Sequence, residues 1–455
     1  MSDRPNLLMI CVDDLRPLMR CYGHEQMHTP AFDRLAESGV LFEKAFCQVP
    51  VCGASRASLL TGIRPTPQRF LEASTWVDED APDVPTLIEH LRDHGYITVG
   101  NHKVFHHAGD RRGAWHAHND GLGQFPGPYH TDAANRLGAA GQARAMEAGH
   151  RRPKRGPATE CADIPDTAQQ DGVCAEWAIR QLHGLVRRDQ PFALCYGSVN
   201  VHLPFKAPKR YWDLYDRDAL PLPGHQEPPT DVPPAALHNY GELRNYGDIP
   251  DDGPVDDASA RQLVHGYRAG VSYLDAQVGK LLDTLDELGV ADNTIVVLWV
   301  DHGFNLGEHG LWCKHCLYET SLHVPLIIRA PGRTAGTSVR TVVENLDVYP
   351  TVCELLGLAQ PAHLKGRTLT PLIDDPAAPR DAYAVSRFRN GDSIRTQRYR
   401  YSQLQDEQGN PAGCTLFDLE ADPGETRNLA DDPSHAEVAR DLHQRLKQIS
   451  SDPGP

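Results

Sequence analysis

Continuous apolar runs mark the frame of the chain. Leu7–Val12, Phe192–Val199, the run NTIVVLWV ending at Val300 and the run VPLIIRAPG beginning at Val324 are six to nine residues long. Each is bounded by turn-forming residues, which predicts strands buried on both faces of a parallel sheet. Val40–Phe46 and Tyr96–Gly100 read as strands too. Helical patterns fall between them. Thr29-Pro30 opens a helix through Ser38, with Thr as N-cap and Pro in the first turn. Another begins near Ser55, Pro85–His94 is closed by Gly95, and further helices cover Asp166–Leu185, Ala258–Leu288 and Leu346–Leu356. This alternation predicts an α/β fold: a large mixed, mostly parallel sheet sandwiched by helices. Residues 218–258, rich in Pro, Asp and Gly, read as a surface excursion. After residue 380 the pattern changes to alternation around an Asn-Gly turn, which predicts a small antiparallel sheet and a last helix near Ser434–Ile449. The division expected is a catalytic α/β domain over 1–375 and an α+β subdomain over 376–455.

Composition narrows the partners. No run of eighteen apolar residues occurs, so no membrane span is expected. The net charge of -16, with no basic stripe carrying aromatics, excludes nucleic acid as the expected partner. A small anionic substrate then requires a local cluster of cations. The run RRPKRGP at 151–157 reads as a solvated loop rather than that cluster. Eleven scattered cysteines, an odd number, fit reduced thiols better than a disulfide framework. The opening MSDRPNLLMICVDD lacks the pattern of a signal peptide. Both features point to a cytoplasmic protein. Oligomeric state is not legible.

Chemistry gathers where strands end, which is where open α/β sheets bind ligands. The first strand ends in Asp13-Asp14 and the run to Val300 in Asp301-His302. Others lead to Lys103 and His106, and to His202. Carboxylates at two strand ends suit Ca²⁺ or Mg²⁺. A rival motif, Cys-x-x-Cys at Trp312–Cys316, lies deep inside a large α/β domain rather than at the start of a thioredoxin-like unit, which argues against redox chemistry.

The stretch CGASRASLLTG from Cys52 resembles the signature of type I sulfatases, members of the alkaline-phosphatase superfamily. NLLMICVDDLRP is similar to that family's opening strand and helix, KVFHH, WVDHGFNLGEHGLWCKH and HVPLIIRAPG resemble the iduronate-2-sulfatase branch in particular, and LFDLEADPGETRNLA is similar to the family's carboxyl-terminal subdomain. The resemblance implies an alkaline-phosphatase-like fold and hydrolysis of a sulfate monoester, in particular a 2-O-sulfate on a uronic acid or related saccharide. It implies that a maturase oxidises Cys52 to formylglycine, whose hydrated aldehyde displaces the alcohol from sulfur and then releases sulfate through its second hydroxyl. Asp13, Asp14, Asp301 and His302, together with position 52, match the ligands of one divalent metal, Ca²⁺ by preference, with Mn²⁺ or Zn²⁺ admitted by the imidazole. Arg56, four residues along the same helix, would hold the nucleophile and a sulfate oxygen. Lys103 and Lys314 match lysines that grip sulfate, His202 the general acid, and His106 a polar neighbour. The sequence departs from the family pattern at two points. Ala54 replaces the usual Pro, which radical maturases accept and oxygen-dependent ones disfavour, and His302 stands where many sulfatases carry Asn. Two rivals are a phosphonate monoester hydrolase or phosphodiesterase on the same site, and an unmodified binding protein.

Overall fold

The computed structural model describes residues 4–121, 129–147, 154–238, 241–389, 391–406 and 408–451. The strands of the main sheet are β1 (Asn6–Val12), β2 (Val40–Phe46), β3 (Ile97–Asn101), β4 (Ala117–Asn119), β5 (Phe192–Gly197), β6 (Thr294–Val300), β7 (His323–Arg329), β8 (Thr337–Val339) and β9 (Val343–Glu344). Their order is β8-β2-β7-β6-β1-β5-β3-β4, with β9 also on β2. Pairing is parallel except at β7, which runs antiparallel to both β2 and β6. Every residue of β1 and β6 is buried, as their unbroken apolar runs require of strands covered on both faces. The fold class is therefore the mixed, mostly parallel α/β architecture that the sequence predicts.

The helices used below are α1 (Pro30–Glu37), α2 (Cys52–Thr61), α3 (Leu87–Asp93), α4 (Asp132–Glu147), α5 (Gln170–Leu185), α6 (Asp257–Glu287), α7 (Val348–Leu355) and α8 (Ala436–Ser450). Local chemistry accounts for several ends. Thr86 and Glu89 form a capping box at α3, and Asp256 accepts from the amides of Ala258 and Ser259 at the start of α6. At α1 the sequence expectation needs correction. The Thr29 hydroxyl accepts from the Arg20 amide instead of capping. The amides of Ala31 and Phe32 donate to the buried carboxylate of Asp275, on α6, at 3.1 and 2.8 Å. A helix capped from another helix carries no local signature. Helix α4 was not anticipated, and α2 starts at Cys52 rather than near Ser55.

The tail forms an antiparallel meander, β10 (Tyr383–Phe388), β11 (Gly391–Thr396), β12 (Tyr399–Gln405) and β13 (Pro411–Asp418). Helix α8 packs on it through Leu442 and Leu446 against Val385, Ile394, Tyr401 and Leu416. Strand β10 is tied to the segment leading into α2, with the Arg387 amide donating to the carbonyl of Gln48 at 2.7 Å and the Ser386 hydroxyl to that of Cys47 at 2.6 Å. Among the described residues no helix is long and apolar enough to cross a membrane. Lys154 and Arg155 of the basic run are held against residues 245–251, and residues 151–153 lie outside the described residues.

Candidate active site

Register builds the site. Strands β1 and β6 pair with Val12 opposite Val300, so the residues that follow, Asp13-Asp14 and Asp301-His302, emerge side by side. On the other flank β5 follows β1, and the Ser198 and Val201 amides donate to the carbonyls of Cys11 and Asp13. That brings His202 to the same end. Strand β3 delivers Lys103 and His106. Gly197 is required here, since a Cβ would run into the backbone of Asn101 and Lys103. Cys52 opens α2, the helix that follows β2, and Gly53 beside it lies against the carbonyl of Ala73, leaving no room for a side chain.

The convergence is tight. One donor atom each from Asp13, Asp14, Cys52 and His302 lie within 4.8 Å of one another, all buried. The His302 Nε2 is 3.2 Å from the Cys52 Sγ, and its Nδ1 is 3.1 Å from Asp14 Oδ1. Asp13 Oδ1 is buried with no hydrogen-bond partner among the described residues. An orphaned carboxylate oxygen facing a second carboxylate and an imidazole fits a divalent cation, and is costly without one.

Two expected roles look different in three dimensions. Asp301 uses Oδ1 to accept from the amides of Asp14 and His302 and Oδ2 to accept from Arg56 Nε at 2.9 Å, so it stands behind the four-donor group, its Oδ1 3.8 Å from His302 Nε2. Arg56 is fully buried. It donates to Asp301 and to the carbonyls of Val12, Lys103 and Val104, with its guanidinium 5.4 Å from the Trp299 ring centroid. Those contacts fasten α2 to three strand ends rather than present a fork to a ligand. Burial and Asp13 push the Asp301 carboxyl up to about 7 despite Arg56.

The cations expected from the sequence surround Cys52. Lys103 donates to Asp13 Oδ2, and Lys314 donates to Asp14 Oδ2 at 3.0 Å. Lys314 sits between Cys313 and His315, both in the left-handed region at φ 69°, so the chain turns sharply on either side to aim it inward. Cys313 and Cys316 are free and buried, and Cys316 Sγ lies 3.0 Å from the Ser321 hydroxyl. Burial disfavours a thiolate at Cys52, yet Lys314, Lys103 and His302 outweigh it and hold the thiol well below its usual range. His106 lies beside the same sulfur, and burial lowers its pKa.

Two further residues complete the frame. Glu242, from the 218–258 excursion, lies 3.0 Å from His202 Nε2 and accepts from Lys314 Nζ at 3.2 Å. His202 Nδ1 faces the Leu203 carbonyl at 2.6 Å, so both ring nitrogens meet acceptors and both carry protons. Against burial and Lys314, Asp14 and Glu242 raise its pKa to about 10. Asp171, buried on α5, accepts from the Ser198 hydroxyl, the Val199 and Asn200 amides and the Asn200 side chain at 2.8–2.9 Å. It fixes the loop that carries His202. Neither acid belongs to a motif. The one signal for Glu242 was its place in the Pro-, Asp- and Gly-rich excursion over 218–258.

A buried cysteine ringed by cationic side chains, beside a group of carboxylates and an imidazole that could hold a cation at the ends of a mostly parallel sheet, is an arrangement suited to an anionic ester. The comparisons make this specific. The sulfatase family model matches residues 5–358, and the model for the carboxyl-terminal part of N-sulphoglucosamine sulphohydrolase matches 307–452. Iduronate 2-sulfatase of Mus musculus is 31% identical over 450 residues, covering 90% of this chain and 76% of that protein. A protein solved with its substrate D-glucosamine-2-N,6-O-disulfate shares the fold at a TM-score of 0.78 and 23% identity, covering 99% of this chain and 98% of the other. The phosphonate monoester hydrolase of Agrobacterium radiobacter does so with the same score and identity, covering 99% and 96%. The chain belongs to the sulfatase family and is a sulfuric ester hydrolase.

Proposed function

We propose that the protein removes sulfate from a small anionic saccharide, specifically a 2-O-sulfate of a uronic acid or related sugar, and that it works with formylglycine at position 52 and one divalent cation. The observation that carries the reading is the meeting of Asp13, Asp14, His302, Lys103, Lys314 and His202 around the Cys52 side chain. Similarity to an iduronate 2-sulfatase over most of the chain supports the substrate class.

Asp13, Asp14 and His302 would hold the cation beside position 52, with Asp301 behind them. Ca²⁺ suits the carboxylates, and the imidazole also admits Mn²⁺ or Zn²⁺. Formylglycine at position 52 would supply a hydrated aldehyde as the nucleophile toward sulfur, and the cation would neutralise charge on the transferring group. The chain's own residues do the rest. Lys103 and Lys314 bind sulfate oxygens and stabilise the charge that builds on them as the S–O bond to the sugar breaks. His202 holds a proton at Nε2, with Glu242 steadying the imidazolium, and gives it to the departing sugar oxygen. Arg56 anchors Asp301 and the first turn of α2. Cys52 is only 3% exposed, so a maturase must act on the unfolded chain. The small residues Gly53, Ala54 and Ser55 that follow Cys52 suit a segment read in extended form.

The test has two parts. The mass of the tryptic peptide containing residue 52 should show conversion of cysteine to the aldehyde. The converted protein should release sulfate from a 2-O-sulfated uronate disaccharide faster than from an aryl sulfate. Turnover of a phosphonate monoester alone would overturn the substrate class, and an unconverted, inactive protein would overturn the chemistry.

A further inference from the structure

Next to the sulfate site lies a pocket of about 290 Å³, near the lower end of the range for small-ligand pockets. Leu237, Leu317 and Phe388 give it an apolar face, His238 and His315 add imidazoles whose pKa burial lowers to about 4 and so keeps neutral, and Arg389 adds a cation. It adjoins the catalytic cluster directly. His315 follows Lys314 in the chain, and its Nδ1 is 4.0 Å from Glu242 Oε2. Arg389 arrives from the tip of the β10–β11 hairpin, in the left-handed region at φ 49°, with its guanidinium 5.3 Å from the ring centroid of Phe388. Among the described residues it forms no ion pair and no hydrogen bond. A backbone conformation rare for a residue with a Cβ thus sets Arg389 in the pocket lining, its guanidinium over Phe388. The acid that shares the lining, Asp406, already accepts from the amides of Gln408 and Asn410 in its own turn. In a chain of net charge -16, Arg389 sets a cation at this mouth.

We propose that this pocket seats the sugar bearing the sulfate ester, and that Arg389 pairs with a second anionic group on the saccharide, a carboxylate or a further sulfate. The inference rests on the saccharide-sulfatase reading above. Apolar side chains pack on a ring face, while the planar guanidinium suits a two-oxygen anion better than an ammonium does. Arg389 is then a specificity residue, remote from the reacting sulfur, and the β10–β11 hairpin brings the carboxyl-terminal sheet into substrate choice.

The experiment compares a disaccharide of 2-O-sulfated uronate and 6-O-sulfated glucosamine with p-nitrophenyl sulfate, which has no second anion. For Arg389→Ala, the ratio of kcat/KM for the disaccharide to that for the aryl sulfate should fall about tenfold, mainly through KM, with partial recovery in Arg389→Lys. Reducing the carboxyl group, or removing the 6-O-sulfate, assigns the anion according to which one closes the gap between wild type and variant. An unchanged ratio, or a gap that survives loss of both groups, overturns the inference. Calorimetric binding of the disaccharide to Cys52→Ala protein, with and without Arg389→Ala, separates the two readings because it needs no turnover. A wild-type protein that cleaves no sulfate ester would sink the saccharide-sulfatase reading alone. Equal affinities would sink the Arg389 assignment alone.

Discussion

In the proposed function Lys314 is the residue that would bear most directly on sulfate binding, and its place was only half legible. The motif named the residue. The two left-handed neighbours that turn it inward, and the Glu242 carboxylate that steadies it, appear only in three dimensions. Replacing Lys314 with Ala should lower kcat/KM for any sulfate ester by roughly 10²–10³, the usual cost of removing one donor to a developing charge. Steady-state assay of an aryl sulfate checks it, and a loss of less than about tenfold would remove Lys314 from the sulfate grip. Arg56 teaches the reverse lesson. Its spacing from Cys52 suggested a ligand-facing fork, whereas the fold spends its donors on Asp301 and three carbonyls. Spacing along a helix tells which face a side chain is on, not what meets it there.

At the scale of elements, two buried acids hold the working parts together. Asp171 gathers four donors from residues 198–200, so Asp171→Ala would orphan buried groups, at about 1–3 kcal/mol for each. The expected result is a lower melting temperature together with a loss of kcat, because His202 follows that loop. A thermal melt beside a rate assay decides, and a destabilised protein with unchanged kcat would sink the link to His202. Asp275 caps α1, and burial pushes its carboxyl up to about 7, above the unfolded value of 3.8. The folded state thus keeps a proton that the unfolded chain releases. Stability from this group falls as pH rises from about 4 to about 7 and is level above that. Asp275→Asn removes the titration while keeping an acceptor. The melting temperature of the variant relative to wild type should therefore climb from pH 5 to pH 8, and a constant difference would refute it. The strands themselves were readable because a six- or seven-residue apolar run has few other fates. Helix α4, with little apolar patterning, was not.

For the whole molecule, the proposed cation site would couple stability to activity. With Asp13 and Asp14 side by side and Asp13 Oδ1 without a hydrogen bond among the described residues, a cation held there would bind the folded state and not the unfolded one. Chelation should then lower both sulfate release and the melting temperature. Returning the ion at a hundred times its dissociation constant restores about 2.7 kcal/mol. Calorimetric melts across a calcium titration measure this, and Asp13→Asn should abolish the shift. A melting temperature indifferent to chelator would exclude the site. The sequence by itself determined which residues stand at strand ends, where the chain changes from α/β to a β-meander, and which segment carries the sulfatase signature. These follow from short-range patterns of burial, turn chemistry and spacing. Only the tertiary structure decided that Val12 lies opposite Val300, that Asp301 backs the site, that Glu242 and Asp171 serve it, and that Arg389 overlooks a pocket. Strand order, register and contacts between residues hundreds of positions apart are set by how the whole core packs, and no local stretch of sequence contains them.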